Sequence, residues 1–170
     1  MIKFSTQNIR EASVNIINCL LDKKYIEVTD KTETIKDVCS VFTNYASIEK
    51  RITQETHDTL ANNNLSKDYY FKTKKSIAEK NGIEIGDHVL GYLIKQIISM
   101  LMYSNYVDEV YAPDHTLQKH MRPFINELLG ESKKQDIIIQ KQLKHVSENT
   151  HSWQIEYQKL KEKINNRSGR

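Results

Sequence analysis

The chain has 170 residues, a formal net charge of +3, 38% apolar residues and 28% charged residues. Such a length fits one compact domain with a sizeable core, and the balance is too apolar for disorder and too polar for a membrane protein. Five Gly and two Pro argue against a turn-rich all-β fold, and two Cys are too few for a disulfide framework or a structural zinc site.

The first predicted helix runs from about Thr6 to Lys23, with Ile9, Ala12, Ile16, Ile17, Leu20 and Leu21 on one face. Tyr25-Ile26-Glu27-Val28 then alternates apolar and polar residues and predicts a short extended segment. A second helix begins after Asp30 or Thr32, where Asp30 and Glu33 have the spacing of a capping box. A third spans Ser47 to Ala61, with Ile48, Ile52 and Leu60 turned inward. Asn62-Asn63-Asn64 marks a turn, and a fourth helix runs from Ser66 to Lys80 and stops at Asn81-Gly82.

The pattern then recurs. A helix capped by Asp87 runs to about Asn105 and carries Val89, Leu90, Leu93, Ile94, Ile97, Ile98, Leu101 and Met102. That wide apolar face suits the central helix of the fold. An extended segment follows over residues 106–111, then a helix from Asp114 that Pro123 should bend or end. A further helix is expected over Ser132 to Asn149, and a last one around Trp153 and Tyr157 before a disordered-looking tail at Asn165 to Arg170.

Laid on one another, the halves match. Ile9 falls on Leu90, Ala12 on Leu93, Ile16 on Ile97, Leu20 on Leu101, Tyr25 on Tyr106 and Ile26 on Val107. One extra residue in the second copy then brings Val28 onto Val110, Ile35 onto Leu117 and Phe42 onto Phe124. Helical periodicity alone would align the Ile and Leu positions, but not the shared Tyr-[Ile/Val]-[Glu/Asp] that follows each first helix. The expectation is an all-α protein of about eight helices. It is built as two similar units, 1–82 and 83–170, in one compact domain. The two extended segments could pair as a small antiparallel ribbon.

The chemistry-bearing residues mostly favour plain structural roles. Cys19 and Cys39 lie on apolar stripes, where a thiol behaves as a small hydrophobe. Glu148-x-x-His151 has di-iron spacing, but a second such motif is absent. Neither a Gly-rich phosphate loop nor a nucleophile elbow occurs. Asp114, His115 and His120 are the one polar group that could line a catalytic pocket, and Asp114 also reads as a helix cap. No catalytic residue, cofactor or metal is therefore assigned.

Two surfaces remain. Lys72, Lys74 and Lys75, beside Tyr69, Tyr70 and Phe71, and Lys159, Lys161 and Lys163 near the C-terminus could hold phosphate backbone. The plain alternative is a solvated face with the aromatics packed inward. Lys outnumbers Arg 20 to 5, which weakens the case because Arg is the better phosphate reader. Tyr103, Tyr106 and Tyr111 with Met100 and Met102, together with Trp153 and Tyr157, suit a protein interface. The competing role for these aromatics is the packing seam between the two units, and general grounds favour it.

The second half reads Gly-Tyr-Leu-Ile-Lys-Gln-Ile-Ile-Ser-Met-Leu-Met-Tyr-Ser-Asn over residues 91–105, then Val107-Asp108-Glu109-Val110-Tyr111, Asp114-His115 and Pro123. Trp153-Gln154-Ile155-Glu156-Tyr157-Gln158 stands near the end. With Leu20-Leu21-Asp22 and Tyr25-Ile26-Glu27-Val28 in the first half, this resembles the bacterial family known as domain of unknown function 507 over nearly the whole chain. The resemblance implies a small, soluble, predominantly helical bacterial protein with no assigned activity, and it carries over no catalytic residue. This sequence is richer in Asn, Ile and Lys than the members it resembles.

The function expected is a non-enzymatic protein-interaction module, an adaptor or scaffold subunit, with a protein partner. The alternative is a nucleic-acid-associated protein. The N-terminus lacks the apolar run of a signal peptide, and the stretch from Val89 to Met102 is too short and polar to span a bilayer. A cytoplasmic protein with no membrane insertion is the expectation.

Overall fold

The structure, a computed structural model, describes residues 4–142 and Lys159. Helix α1 spans Thr6–Asp22 and starts where Ser5 Oγ accepts from the Asn8 N–H at 3.0 Å. It buries Ile9, Ala12, Ser13, Ile16, Ile17 and Leu20. Ser13 sits on this stripe without penalty because its hydroxyl donates to the Ile9 carbonyl at 2.8 Å.

The helix closes with a Schellman turn. The Tyr25 N–H donates to the Leu20 carbonyl and the Lys24 N–H to that of Leu21, both at 2.9 Å. Lys24 consequently takes φ +56°, a left-handed conformation that usually falls to Gly or Asn.

Strand β1, Ile26–Val28, pairs antiparallel with β2, Val107–Val110. Ile26 faces Val110, Glu27 faces Glu109 and Val28 faces Val107. The stretch from Glu27 to Val28 opposes a longer stretch of β2, so the ribbon carries a bulge there. Two matching bonds close its ends: the Thr29 N–H donates to the Tyr106 carbonyl and the Tyr111 N–H to the Tyr25 carbonyl, each at 2.9 Å. Ile26, Val28, Val107 and Val110 pack on the core, while Glu27, Asp108 and Glu109 are exposed.

Helix α2 is one element of 32 residues, Lys31–Asn62. At 1.5 Å per residue it is about 48 Å long. Asp30 caps it by accepting from the Thr32 and Glu33 N–H groups at 2.8 and 3.0 Å. Thr34, Val38, Phe42, Tyr45, Glu49, Ile52, Thr56 and Leu60 follow one another at steps of three and four along its buried face.

That continuity corrects the expectation of a second and third helix divided near Ser47. Asn63 and Asn64 end the helix as expected, with Asn64 at φ +49°. Ser66 caps a short 3-10 turn, Lys67–Tyr69, that runs into α3, Tyr70–Lys80. α3 folds back on α2 through Lys74, Ile77 and Ala78, then stops at Asn81 and Gly82, where φ is +67°.

A 3-10 turn, Gly86–His88, leads into α4, Val89–Tyr103. Asp87 lies inside that turn, so it is not the expected helix cap. α4 buries Val89, Leu93, Ile94, Ile97, Ile98 and Leu101. After β2, α5 spans Asp114–Gln142. The Thr116 and Leu117 N–H groups bond to the Pro113 carbonyl, which puts Asp114 in the first turn rather than at the cap.

Pro123 lies on the exposed side of α5, and the helix runs on through it instead of ending. Pro123 has no N–H to give, so the Lys119 carbonyl loses the helix bond it would otherwise accept. Ser132 is buried inside the same helix and starts no new one.

Five α-helices and a two-stranded ribbon therefore make up the described residues, not about eight helices. α1 and α4 each pack on both α2 and α5. The core between them holds Ile16, Ile17, Leu20, Phe42, Leu93, Ile97, Leu101, Leu117, Met121 and Ile125, all essentially sealed from water. The helix expected around Trp153 and Tyr157, and the tail from Asn165, lie outside the described residues.

Candidate protein-interaction surface

The ribbon end of the bundle carries the exposed aromatics. Here α4 terminates and the chain enters β2. The inward side of α4 is used by Ile97, Ile98 and Leu101, so Met102 and Tyr103 fall on the solvent side of its last turn. Tyr103 is 85% exposed, Tyr111 57%, Met102 51% and Tyr106 38%. Met100 instead packs against the core. None of the three tyrosines lies in a packing seam, which was the competing role for them. Trp153 and Tyr157 lie outside the described residues.

Backbone bonds fix this surface. The Ser104 N–H donates to the Met100 carbonyl at 2.8 Å, and Ser104 Oγ donates to Asp37 Oδ2 on α2 at 2.6 Å. The Tyr106 carbonyl accepts from Thr29, and the Tyr111 hydroxyl donates to Glu27 Oε2 at 2.6 Å. That bond, with burial and the nearby charges of Glu27, Glu109 and Asp108, pushes the Tyr111 phenol up to about 12. The outer face of the ribbon is thus acidic, and the aromatics stand at its margins.

The lysines divide differently. Lys74 is buried, and its Nζ lies 2.8 Å from Glu49 Oε1, so it faces α2 and not solvent. Lys72, Lys75 and Lys159 are exposed, and Lys75 Nζ stands 3.9 Å from Glu79 Oε1. Lys161 and Lys163 lie outside the described residues. Of the neighbouring aromatics, only Tyr70 turns inward, tilted against His57 with ring centroids 5.2 Å apart. Tyr69 and Phe71 are exposed, contrary to the plain expectation of inward packing.

Asp114, His115 and His120 do not form a common pocket. Asp114 and His115 are exposed at the start of α5. His120 is half-buried against Tyr25, whose hydroxyl is 3.3 Å from Nε2. Burial, then the charges of Lys23 and Lys119, hold its imidazole below the ordinary value. On a helix, His115 and His120 point about 140° apart.

Cys19 and Cys39 are half-buried free thiols, Cys39 against the core. Among the described residues no group of three or more His, Cys, Asp or Glu is placed to hold a metal ion. No helix among them is long and apolar enough to cross a membrane. Glu148 and His151 lie outside the described residues.

One feature escaped the sequence. A shallow polar groove runs between α1 and α5, lined by Asn8, Glu11 and Asn15 on one side and Phe124, Glu127 and Glu131 on the other. Asn8 Nδ2 donates to Glu131 Oε2 across it at 2.6 Å. Two helices distant in the sequence build it, so no local spacing signals it.

The sequence that folds into this helical bundle matches a family model over nearly its whole length. The family model described as protein of unknown function (DUF507) covers residues 2–170. The chain belongs to the DUF507 family. No curated protein matches the sequence. DUF507 membership agrees with the resemblance read from Leu101 to Tyr111 and from the first-half motifs, and it brings no activity or site residue with it.

Proposed function

We propose that this DUF507 protein is a non-enzymatic protein-interaction module, an adaptor or small scaffold subunit, that engages its partner through Tyr103, Tyr106 and Tyr111. The observation that carries this reading is the exposure of these three tyrosines and Met102 on a backbone held by the ribbon and by Ser104. Rigid, exposed aromatics give large contact area at low entropic cost, as interface anchors do. Trp153 and Tyr157 join the proposal from sequence alone.

The test is recovery of the tagged full chain from its host, with and without nuclease, against a Tyr103→Ala/Tyr111→Ala variant. A stoichiometric protein that survives nuclease and is lost from the variant supports the reading. Equal recovery with both chains removes these tyrosines from the interface. The competing nucleic-acid reading loses Lys74 to Glu49 and keeps Lys72, Lys75, Lys159, Lys161 and Lys163. A steep fall of affinity with salt would be its signature. A cytoplasmic location belongs to the same proposal.

The internal duplication also belongs here, with units 1–82 and 83–170 as its copies. Its support is the ribbon register. If Ile26 corresponds to Val107 and Val28 to Val110, a two-fold between the copies exchanges the pair Ile26/Val110 with the pair Val28/Val107, and both pairs occur. The same operation exchanges the Thr29-to-Tyr106 bond with the Tyr111-to-Tyr25 bond. The one extra residue of the second copy falls in the bulged stretch.

A further inference from the structure

The opposite end of α2 carries a second exposed apolar patch. Every residue from 61 to 69 is exposed, so the turn between α2 and α3 stands out from the fold as a tip. On it and the adjoining first turn of α3, Phe71 is 82% exposed, Tyr69 50% and Leu65 42%. The backbone at Leu65 and the ring of Phe71 are held in place. The Leu65 N–H bonds back to the Leu60 carbonyl at 2.9 Å, Tyr70 packs on His57, and Phe71 stands edge-on to Tyr70 with centroids 5.5 Å apart.

Cations surround the patch. Lys67 and Lys72 are exposed, and Lys75 shares a face of α3 with Phe71, one turn further on. Two acids stand among them: Asp68 is engaged in the turn itself, where it accepts from Ser66 Oγ at 2.9 Å, and Glu79 lies 3.9 Å from Lys75 Nζ in a loose, exposed pair.

We propose that this tip docks on an anionic lipid surface, with Leu65, Tyr69 and Phe71 entering the headgroup region and Lys67, Lys72 and Lys75 meeting lipid phosphates. Protruding aromatics backed by lysines match the chemistry of a membrane interface. A nucleic-acid strand fits less well. Stacking platforms line a basic groove that tracks the strand. Here the rings stand on a protrusion beside Leu65, which has no face to stack. The site is peripheral and requires no spanning segment. It lies a helix length from Tyr103 and does not depend on the protein-interaction reading.

The experiment is co-sedimentation of the full chain with phosphatidylcholine vesicles and with vesicles containing phosphatidylglycerol, at low and high salt. Binding to the anionic vesicles that weakens with salt is expected. Lys67→Gln and Lys72→Gln should each lower the partition about fivefold. Phe71→Ser should lower it at least about tenfold. Tyr103→Ala should leave it unchanged, which separates this site from the tyrosine surface. The two Gln variants change exposed side chains only, so they remain informative if Phe71→Ser disturbs folding. Absent binding, equal binding to both vesicles, or binding indifferent to all three substitutions would overturn the proposal. So would Phe71-dependent binding to a single-stranded oligonucleotide without binding to vesicles.

Discussion

Lys74 on α3 donates to Glu49 on α2 across 2.8 Å, inside a contact that leaves their side chains 9% and 5% exposed. Two charges out of water tolerate each other only as a pair. Lys74→Met should therefore destabilise the fold by about 3–5 kcal/mol, since it takes this charged partner from the buried Glu49 carboxyl. Glu49→Leu added to Lys74→Met should restore most of that loss. Urea unfolding of the three chains measures both values. A single variant as stable as the parent would mean that water reaches the pair.

The left-handed cap of α1 offers the reverse experiment. Three helices end on the same turn, at Lys24, Asn64 and Gly82, with φ of +56°, +49° and +67°. Only Gly takes that conformation without a Cβ penalty. Lys24→Gly should stabilise the protein by about 1 kcal/mol, seen as a higher urea midpoint at unchanged slope. Asn64→Gly should gain less, because Asn already tolerates the region.

These two sites also show where the sequence was legible. Asp30, Asn64 and Gly82 punctuate the chain with local chemistry, and each sits where its residue type places it. The ribbon was legible for the same reason, since its alternation is local. The long helices were not. The expected division near Ser47 falls where the buried stripe of α2 passes from Tyr45 to a charged residue, Glu49, and further on it meets a second polar residue, Thr56. Thr56 satisfies itself on the Ile52 carbonyl at 2.7 Å, but Glu49 is answered by Lys74, from the next helix. A tertiary partner made a core position look like a surface one. The same hidden contact left Lys74, set among exposed lysines in the sequence, looking like a phosphate ligand. In α5, buried Ser132 imitated a cap in the same way. At the candidate surface, composition named the tyrosines, but only packing separates exposed Tyr103 from half-buried Tyr25.

Tyr111 gives a prediction at high pH. Its phenol is raised from 10.0 to about 12, first by its hydrogen bond to Glu27. The unfolded chain loses this proton near 10 and the folded chain only near 12. The stabilisation is thus complete below pH 10 and is lost as the pH climbs towards 12. Ultraviolet titration of the tyrosines should show a late component that Glu27→Gln moves earlier. A titration unchanged by that substitution would place Tyr111 in water.

His120 acts at the other end of the scale. Its imidazole is held below 6.5 by burial against the fold and by Lys23 and Lys119. The unfolded chain then takes up a proton that the folded one refuses. The contribution is present above pH 6.5 and disappears as the pH falls through the folded value. Proton NMR of the imidazole should show an upward shift in Lys23→Gln/Lys119→Gln. Part of the depression should survive, because burial is its first cause.

The cross-packing of the helices has a consequence for the integrity of the chain. α1 lies against α5 as well as α2, α4 lies against α2 as well as α5, and Ile26 pairs with Val110. The connection between the halves, residues 81–88, contributes Ile83 to the core. A nick in that connection would leave neither piece able to cover its own apolar stripe. The pieces would have to recombine, each supplying the missing face and the missing strand of the other. The severed protein would behave as an obligate heterodimer of its two pieces, whose melting temperature rises with their concentration.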